Sequence, residues 1–287
     1  MAEALKSLSV LTIGNSFTWS LQRYFPAVVH AAGEELELKF MNFGGCELER
    51  HWGYISAEKN NPVIRIYGGA RMDAVLEKTP WDIVTIQQAS GKSAFFDTYE
   101  PYAGNLIAKI RELAPQAEIV IQETWSYAPY EQRLATWKMT PAQMHASLQK
   151  AYAQLAAKYG LRTIPTGDAV QLFRERLPVD YGTPLTRAEI AALKKPATID
   201  FHGDVTGNSA WRQGRKGRQK DWEEVKLRLD SAHLNARGHY LQACVWLGFL
   251  FKVDPVTFSY RPETLSEADA KLMRECARDA LKAATKL

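Results

Sequence analysis

The sequence predicts an α/β protein built as a three-layer α/β/α sandwich around a parallel sheet. Three observations carry that prediction. Short apolar runs recur along the chain and end at glycine or polar residues, as in Val10-Leu11-Thr12-Ile13-Gly14 and Ile83-Val84-Thr85-Ile86-Gln87. Stretches with helical spacing and helix-start signals separate them, which is the pattern of parallel strands joined by crossover helices. The first of these runs is continuously apolar, as a parallel strand covered on both faces must be.

Each element follows from local chemistry. Leu8 to Ile13 is a buried strand closing on Gly14. Tyr24 to Ala32 reads as a helix, with Pro26 tolerated because it falls near the start. Leu36 to Phe43 alternates, reads as a second strand and closes on Gly44-Gly45. Arg71 to Lys78 is a short helix, Ile83 to Gln87 a third strand, and Pro101 to Ala114 a helix stopped by Pro115. Glu118 to Thr124 is a fourth strand. Thr140-Pro141-Ala142-Gln143 is a capping box with proline at the first helical position, which predicts a helix to Tyr159 stopped at Gly160. Arg162 to Pro165 is a short fifth strand. Thr186 with Glu189, and Ser266 with Asp269, open further helices, the second running over 266–286. Asn235 caps a helix over Ala236 to Phe251. No internal repeat or linker divides the chain, so 1–287 reads as one domain. Gly203 to Lys220 breaks the pattern. It is glycine-rich, basic and without periodicity, and reads as a functional insertion or a lid.

Composition narrows the function. Of 287 residues, 24% are charged and 46% hydrophobic, ordinary for a globular protein, and a net charge of +4 is too mild to argue for nucleic acid. No run is long enough to span a membrane. The first apolar run is a strand rather than a signal segment, so the expected compartment is cytoplasmic, or periplasmic or secreted if a leader has been removed. The three cysteines, Cys46, Cys244 and Cys276, have no metal spacing, and their odd number argues against a disulfide framework. His202 and Asp204 lack a third ligand, and no metal or organic cofactor is expected.

The chemistry gathers at strand ends. Ligands of open parallel sheets bind beyond the carboxyl ends of the strands. Ser16 follows the first strand, Gly44-Gly45 the second and Gln87-Gln88 the third. These supply a hydroxyl, flexible backbone amides and side-chain amides, the parts of a nucleophile and an oxyanion hole. A serine needs a base and a group that orients the base. Asp230 and His233, three apart before the last long helix, fit those roles if they share one turn.

In Ile13-Gly14-Asn15-Ser16-Phe17, the block Gly44-Gly45-Cys46-Glu47-Leu48-Glu49-Arg50-His51-Trp52, Trp81 to Gln88, and Asp230-Ser231-Ala232-His233-Leu234 through Tyr240, the chain resembles the SGNH, or GDSL-like, hydrolases. It is most similar to a bacterial branch designated a domain of unknown function. The resemblance spans residues 8 to 252. It implies a flavodoxin-like sheet, with Ser16 as nucleophile, His233 as general base and Asp230 as its orienting partner. It also implies an oxyanion hole from the Ser16 amide, Gly45 or its neighbour Gly44, and a third-block asparagine. Two positions depart from the pattern. Asn15 stands for the usual aspartate, at a place outside the triad, and Gln88 or Gln87 must replace the missing asparagine.

Around this centre, Asn15, His51, Trp52, Trp125 and Tyr127 are candidates for substrate contact. His51 and Trp52 read equally as helix packing, and Trp125 and Tyr127 as rim packing. The basic run Arg212, Arg215, Lys216, Arg218 and Lys220, flanked by Trp211 and Trp222, reads as a solvated loop or as a contact for an anionic glycan group. The expected activity is hydrolysis of short acyl esters, above all O-acetyl groups on a carbohydrate. Longer acyl esters or thioesters are the alternative, and a non-catalytic carbohydrate-binding protein the reading of another class. The expected partner is a small-molecule or glycan ester, with neither nucleic acid nor membrane.

Overall fold

The structure, a computed structural model, describes residues 6–61, 63, 65–177, 182–201, 203–213 and 225–285. The chain opens with β1 (Ser7–Gly14), the single turn α1 (Ser16–Trp19), a 3-10 turn (Ser20–Arg23), α2 (Phe25–Ala31) and β2 (Glu35–Asn42). Next come α3 (Leu48–Asn60), α4 (Met72–Lys78), β3 (Ile83–Ile86), α5 (Tyr102–Leu113), β4 (Glu118–Gln122), α6 (Gln132–Trp137), α7 (Pro141–Tyr159), β5 (Arg162–Ile164) and α8 (Thr166–Arg176). The last third holds α9 (Arg187–Ala192), β6 (Thr206–Gln213), β7 (Val225–Leu234), α10 (Ala236–Phe251) and α11 (Glu267–Ala284).

Five parallel strands form one sheet in the order β2-β1-β3-β4-β5. The chain leaves β1 toward one edge and, after β2, crosses back to β3 on the other side. The crevice between β1 and β3 is therefore the switch point where such sheets bind ligands, and Ser16 stands at its mouth. Val10, Leu11, Ile13, Val84, Ile86, Val120 and Ile121 are fully or almost fully buried in the central strands. Full burial of each such side chain contributes roughly 1.5–3 kcal/mol.

Helices α2, α8 and α10 pack as one layer, and α3, α4 and α5 as another. Helix α10 is apolar nearly all round because α11 covers its outer side, while α11 itself keeps a polar face. The capping boxes at Thr140 and Thr186 are formed, and Gly160 ends α7 in the left-handed region at φ 65°.

The segment expected as an aperiodic insertion is different. Its described part belongs to an antiparallel β6–β7 hairpin. One hairpin face, with Leu227 and Leu229, packs on a satellite cluster of Ala128, Tyr130, Ile199 and Phe201. That pairing is nonlocal, so the weakly patterned Thr206–Gln213 gives no sign of it in sequence. Of the basic run, Arg215, Lys216, Arg218 and Lys220, with Trp222, lie outside the described residues, as does His202.

Candidate active site

The Ser16 side is built from the sheet. Gly14 closes β1, and it is glycine because a Cβ there would press on Thr18 and Gln87. Asn15 turns the chain with extended backbone and caps α1, its Oδ1 accepting from the Phe17 amide at 3.1 Å. The same oxygen accepts from Gln87 Nε2 at 2.7 Å, and Asn15 Nδ2 donates to the Cys46 carbonyl at 3.0 Å. Thr18 donates to Gln87 Oε1 at 2.8 Å. The Phe43 amide donates to the Gly14 carbonyl at 3.1 Å and the Cys46 amide to Phe43 at 3.0 Å. These bonds fix the exposed Gly44-Gly45 turn beside Ser16, with Gly45 in the left-handed region at φ 61°.

This network corrects two expectations. Asn15 is 2% exposed and its side chain is committed within the protein, so it organises the turn rather than facing substrate. Gln87 and Gln88, expected to replace the missing asparagine, are both taken up by the protein: Gln87 by Asn15 and Thr18, and Gln88 by Leu48 at the start of α3 and Thr98 beyond β3. Both are buried, and Gln88 Nε2 donates to the Thr98 carbonyl and hydroxyl while its Oε1 accepts from Leu48 and Ala89. Both amides thus hold neighbouring segments in place.

The His233 side is built differently. Asp230 and His233 lie on β7, not on a helical turn. In a regular strand, residues three apart face opposite sides. Here Thr206 pairs with Leu234 but Asn208 pairs with Asp230, so three residues of β7 bulge opposite Gly207 alone. The bulge brings both side chains to one side. Asp230 Oδ1 accepts from the Ala232 and His233 amides at 3.1 and 3.0 Å, which stabilises the bulge locally. The Ser231 carbonyl accepts from the Ala128 amide at 2.8 Å and the Ala232 carbonyl from Trp125 Nε1 at 2.9 Å. Gly207, at φ 98°, lies against the Phe201 ring with no room for a Cβ.

The two sides meet. Ser16 Oγ is 2.7 Å from His233 Nε2, and His233 Nδ1 is 2.8 Å from Asp230 Oδ2. Burial pushes the Asp230 carboxyl up, but bonds from the His233 ring and from the His233 and Ala232 amides outweigh it and hold it at about 2. An ionised Asp230 only accepts. Neutral His233 therefore carries its proton on Nδ1, and Nε2 accepts from the Ser16 hydroxyl. Phe17 lies beneath, stacked on Trp125 at 4.2 Å and edge-on to the His233 ring at 5.1 Å.

The remaining candidates sit away from the cleft surface. His51 is fully buried on α3, 2.7 Å from the Tyr67 hydroxyl, and burial drives it down to about 3. Trp52 is half-buried and packs on the core, so the helix-packing reading describes this pair. Trp125 and Tyr127 are fully buried, because the chain after β4 runs inward under the bulge rather than along the rim. Asp204 is buried in an ion pair with Arg174 at 3.0 Å. Arg174 also donates to the Ser126 carbonyl and hydroxyl and to the Thr206 hydroxyl, tying α8 to the root of the hairpin. All three cysteines are buried and unpaired, and burial pushes Cys244 up to about 12. One group among the described residues could hold a metal ion: Glu123, His145 and Asp168, whose donor atoms lie within 4.8 Å of one another. Its parts are distant in sequence, so no spacing announces it. Sequence reasoning also missed Phe17, Arg174, and the exposed Trp19 and Phe43, although Trp19 lies only three residues past Ser16.

Fold and site together define a three-layer parallel α/β sandwich with a Ser–His–Asp relay at its switch point. The chain belongs to the family described as Domain of unknown function (DUF4886), whose model matches residues 9–177. A crystal structure of a DUF4886 family protein from Bacteroides uniformis is similar over 96% of this chain and 95% of that one, at 23% identity and a TM-score of 0.72. A proposed SGNH hydrolase from Slackia heliotrinireducens is similar at 22% identity, 83% and 96% coverage and a TM-score of 0.49. An acetyl xylan esterase matches at 12% identity, 85% and 100% coverage and a TM-score of 0.48. No curated protein matches. The fold is shared with that DUF4886 family structure.

Proposed function

We propose that the protein is a serine esterase acting on short acyl esters, O-acetyl groups on a carbohydrate above all. The observation that carries this reading is the continuous relay from Ser16 Oγ through His233 to Asp230, at 2.7 and 2.8 Å. Ser16 Oγ attacks the ester carbonyl carbon while its proton passes to His233 Nε2, and the carbonyl π electrons move onto oxygen. Asp230 stabilises the resulting imidazolium. The backbone amides of Ser16 and Gly45 receive the oxyanion, since Gln87 and Gln88 are engaged elsewhere. Collapse expels the alkoxide, which takes the proton from Nε2, and leaves an acyl-Ser16. Water, deprotonated by His233, attacks the acyl carbon, and the acid leaves as Ser16 recovers its proton. None of these steps uses a metal or organic cofactor.

The test is acetate release from 4-nitrophenyl acetate and from a panel of acetylated glycans, comparing the wild type with Ser16→Ala and His233→Ala. The reading predicts turnover that falls about 10⁴-fold or more in each variant. Turnover surviving Ser16→Ala would refute the mechanism. Glycan binding without turnover, unchanged in Ser16→Ala, would instead establish a binding protein on this scaffold.

A further inference from the structure

Two exposed aromatic rings flank the Gly44 turn. Among the described residues, the large hydrophobic side chains left exposed include only two aromatic ones, Trp19 at 38% and Phe43 at 37%. Both border the same point. Phe43 directly precedes Gly44, and a Cβ built on Gly44 would lie 3.9 Å from the Trp19 ring. Trp19 is three residues beyond Ser16 on α1, and side chains at that spacing share a helix face. The aromatic pair therefore borders the nucleophile and the turn assigned to the oxyanion.

We propose that Trp19 and Phe43 form the surface that binds the sugar ring of the substrate, on the leaving-group side of the scissile ester. The inference rests on the esterase reading and names the alcohol that the ester carries. With the carbonyl oxygen at Gly45, the adjoining Gly44 and its two rings offer an exposed apolar surface to the alkoxy portion. A pyranose offers a C–H face to an aromatic ring and keeps its hydroxyls at the edge, so it needs an aromatic platform with a polar rim. The rim is present. The Arg50 guanidinium sits over the Phe43 ring, 5.1 Å from its centre, where its N–H groups can donate to a sugar's hydroxyls, and pairs with Glu47 at 3.4 Å. An acyl chain gains most from an enclosed apolar wall, whereas this surface is open and bordered by charge.

The experiment compares kcat/KM for glucose penta-acetate, 4-nitrophenyl acetate and 4-nitrophenyl octanoate in the wild type, Trp19→Ala, Phe43→Ala and the double variant. The ratio of the sugar ester to 4-nitrophenyl acetate should fall at least tenfold in the double variant, mainly through KM. The aromatic exchanges Trp19→Phe and Phe43→Trp should keep most of it, and they carry the test if the double variant does not fold. A ratio within twofold of wild type overturns the sugar surface and leaves the esterase reading standing, as does a loss that falls on the octanoate ester instead. A wild type that turns over none of the three esters defeats the esterase reading itself, and this inference with it.

Discussion

The two halves of the Ser–His–Asp relay are held by opposite means. Ser16 stands on the main sheet, and its neighbours Gly14, Asn15, Thr18 and Gln87 are locked by short, buried hydrogen bonds around the end of β1. His233 and Asp230 stand outside that sheet, on a bulged hairpin strand, with roughly two-fifths of each side chain exposed. Their position depends on remote pins: Trp125 and Ala128 on the bulge carbonyls, and the Arg174–Asp204 pair at the hairpin root. Ser16, the proposed nucleophile, is thus placed by the fold's core, and His233, the proposed base, by an appendage fastened to it. Changes near Ser16 should therefore disturb folding and chemistry together. Changes at the hairpin root should act on the base half first.

The largest effect that isolates the base half is expected from Asp230→Asn. The amide keeps the shape but loses the charge that sets the His233 tautomer, so kcat should fall by about 10³–10⁴ with little change in KM. Steady-state kinetics on 4-nitrophenyl acetate reads this. A drop below tenfold would mean that the Nδ1 bond is dispensable.

Arg174→Met should come next. It leaves the buried Asp204 carboxylate without its guanidinium, and breaking such a pair costs about 3–5 kcal/mol. Urea unfolding should show that loss. Activity per folded molecule should fall as well, because β6 and the loop under the bulge lose a common anchor. Stability lost with full specific activity would show that the hairpin root does not position His233.

A smaller, pH-dependent effect concerns Glu123, whose side chain accepts from the Asp168 amide at the start of α8, the helix that carries Arg174. Burial, reinforced by the Asp168 charge, holds its carboxyl well above the usual range. A raised carboxyl binds its proton more tightly in the folded state than in the unfolded chain. Its stabilisation is thus complete below the unfolded value and is lost as pH rises toward the folded one. Glu123→Gln should flatten the fall in melting temperature from pH 5 to pH 8, seen by thermal unfolding across that range. An unchanged slope would assign the pH dependence to other groups.

The same contrast explains what could be read from the sequence. The Ser16 side is legible because its determinants are local: an apolar strand, a glycine that admits no Cβ, a capping residue and a glycine pair at the next strand end. Asn235 announces α10 in the same way. The types and order of Asp230 and His233 are visible, but their geometry is not. The bulge depends on pairing with Asn208 and Thr206 across the hairpin, which no local pattern encodes. Trp125 and Tyr127 invite a rim reading because aromatic residues after a strand usually meet the cleft. Here the chain turns inward, and Trp125 becomes the floor beneath Phe17. Among the described residues the large exposed aromatic rings are instead Trp19 and Phe43, which in sequence look like ordinary core residues. Gln87 and Gln88 sit where a donor is wanted, but their partners Asn15, Thr18, Leu48 and Thr98 come from other segments, which the local sequence does not announce.

The most direct test of the central claim, a Ser16 activated by a histidine held on the β7 bulge, needs no knowledge of the substrate. The protein would be treated with a fluorophosphonate, which phosphonylates activated serines with loss of fluoride, and the adduct located by peptide mass spectrometry. The account predicts one stoichiometric adduct on Ser16, absent in Ser16→Ala and formed at least a hundredfold more slowly in His233→Ala. Labelling elsewhere, or at Ser16 with a rate indifferent to His233, would contradict it.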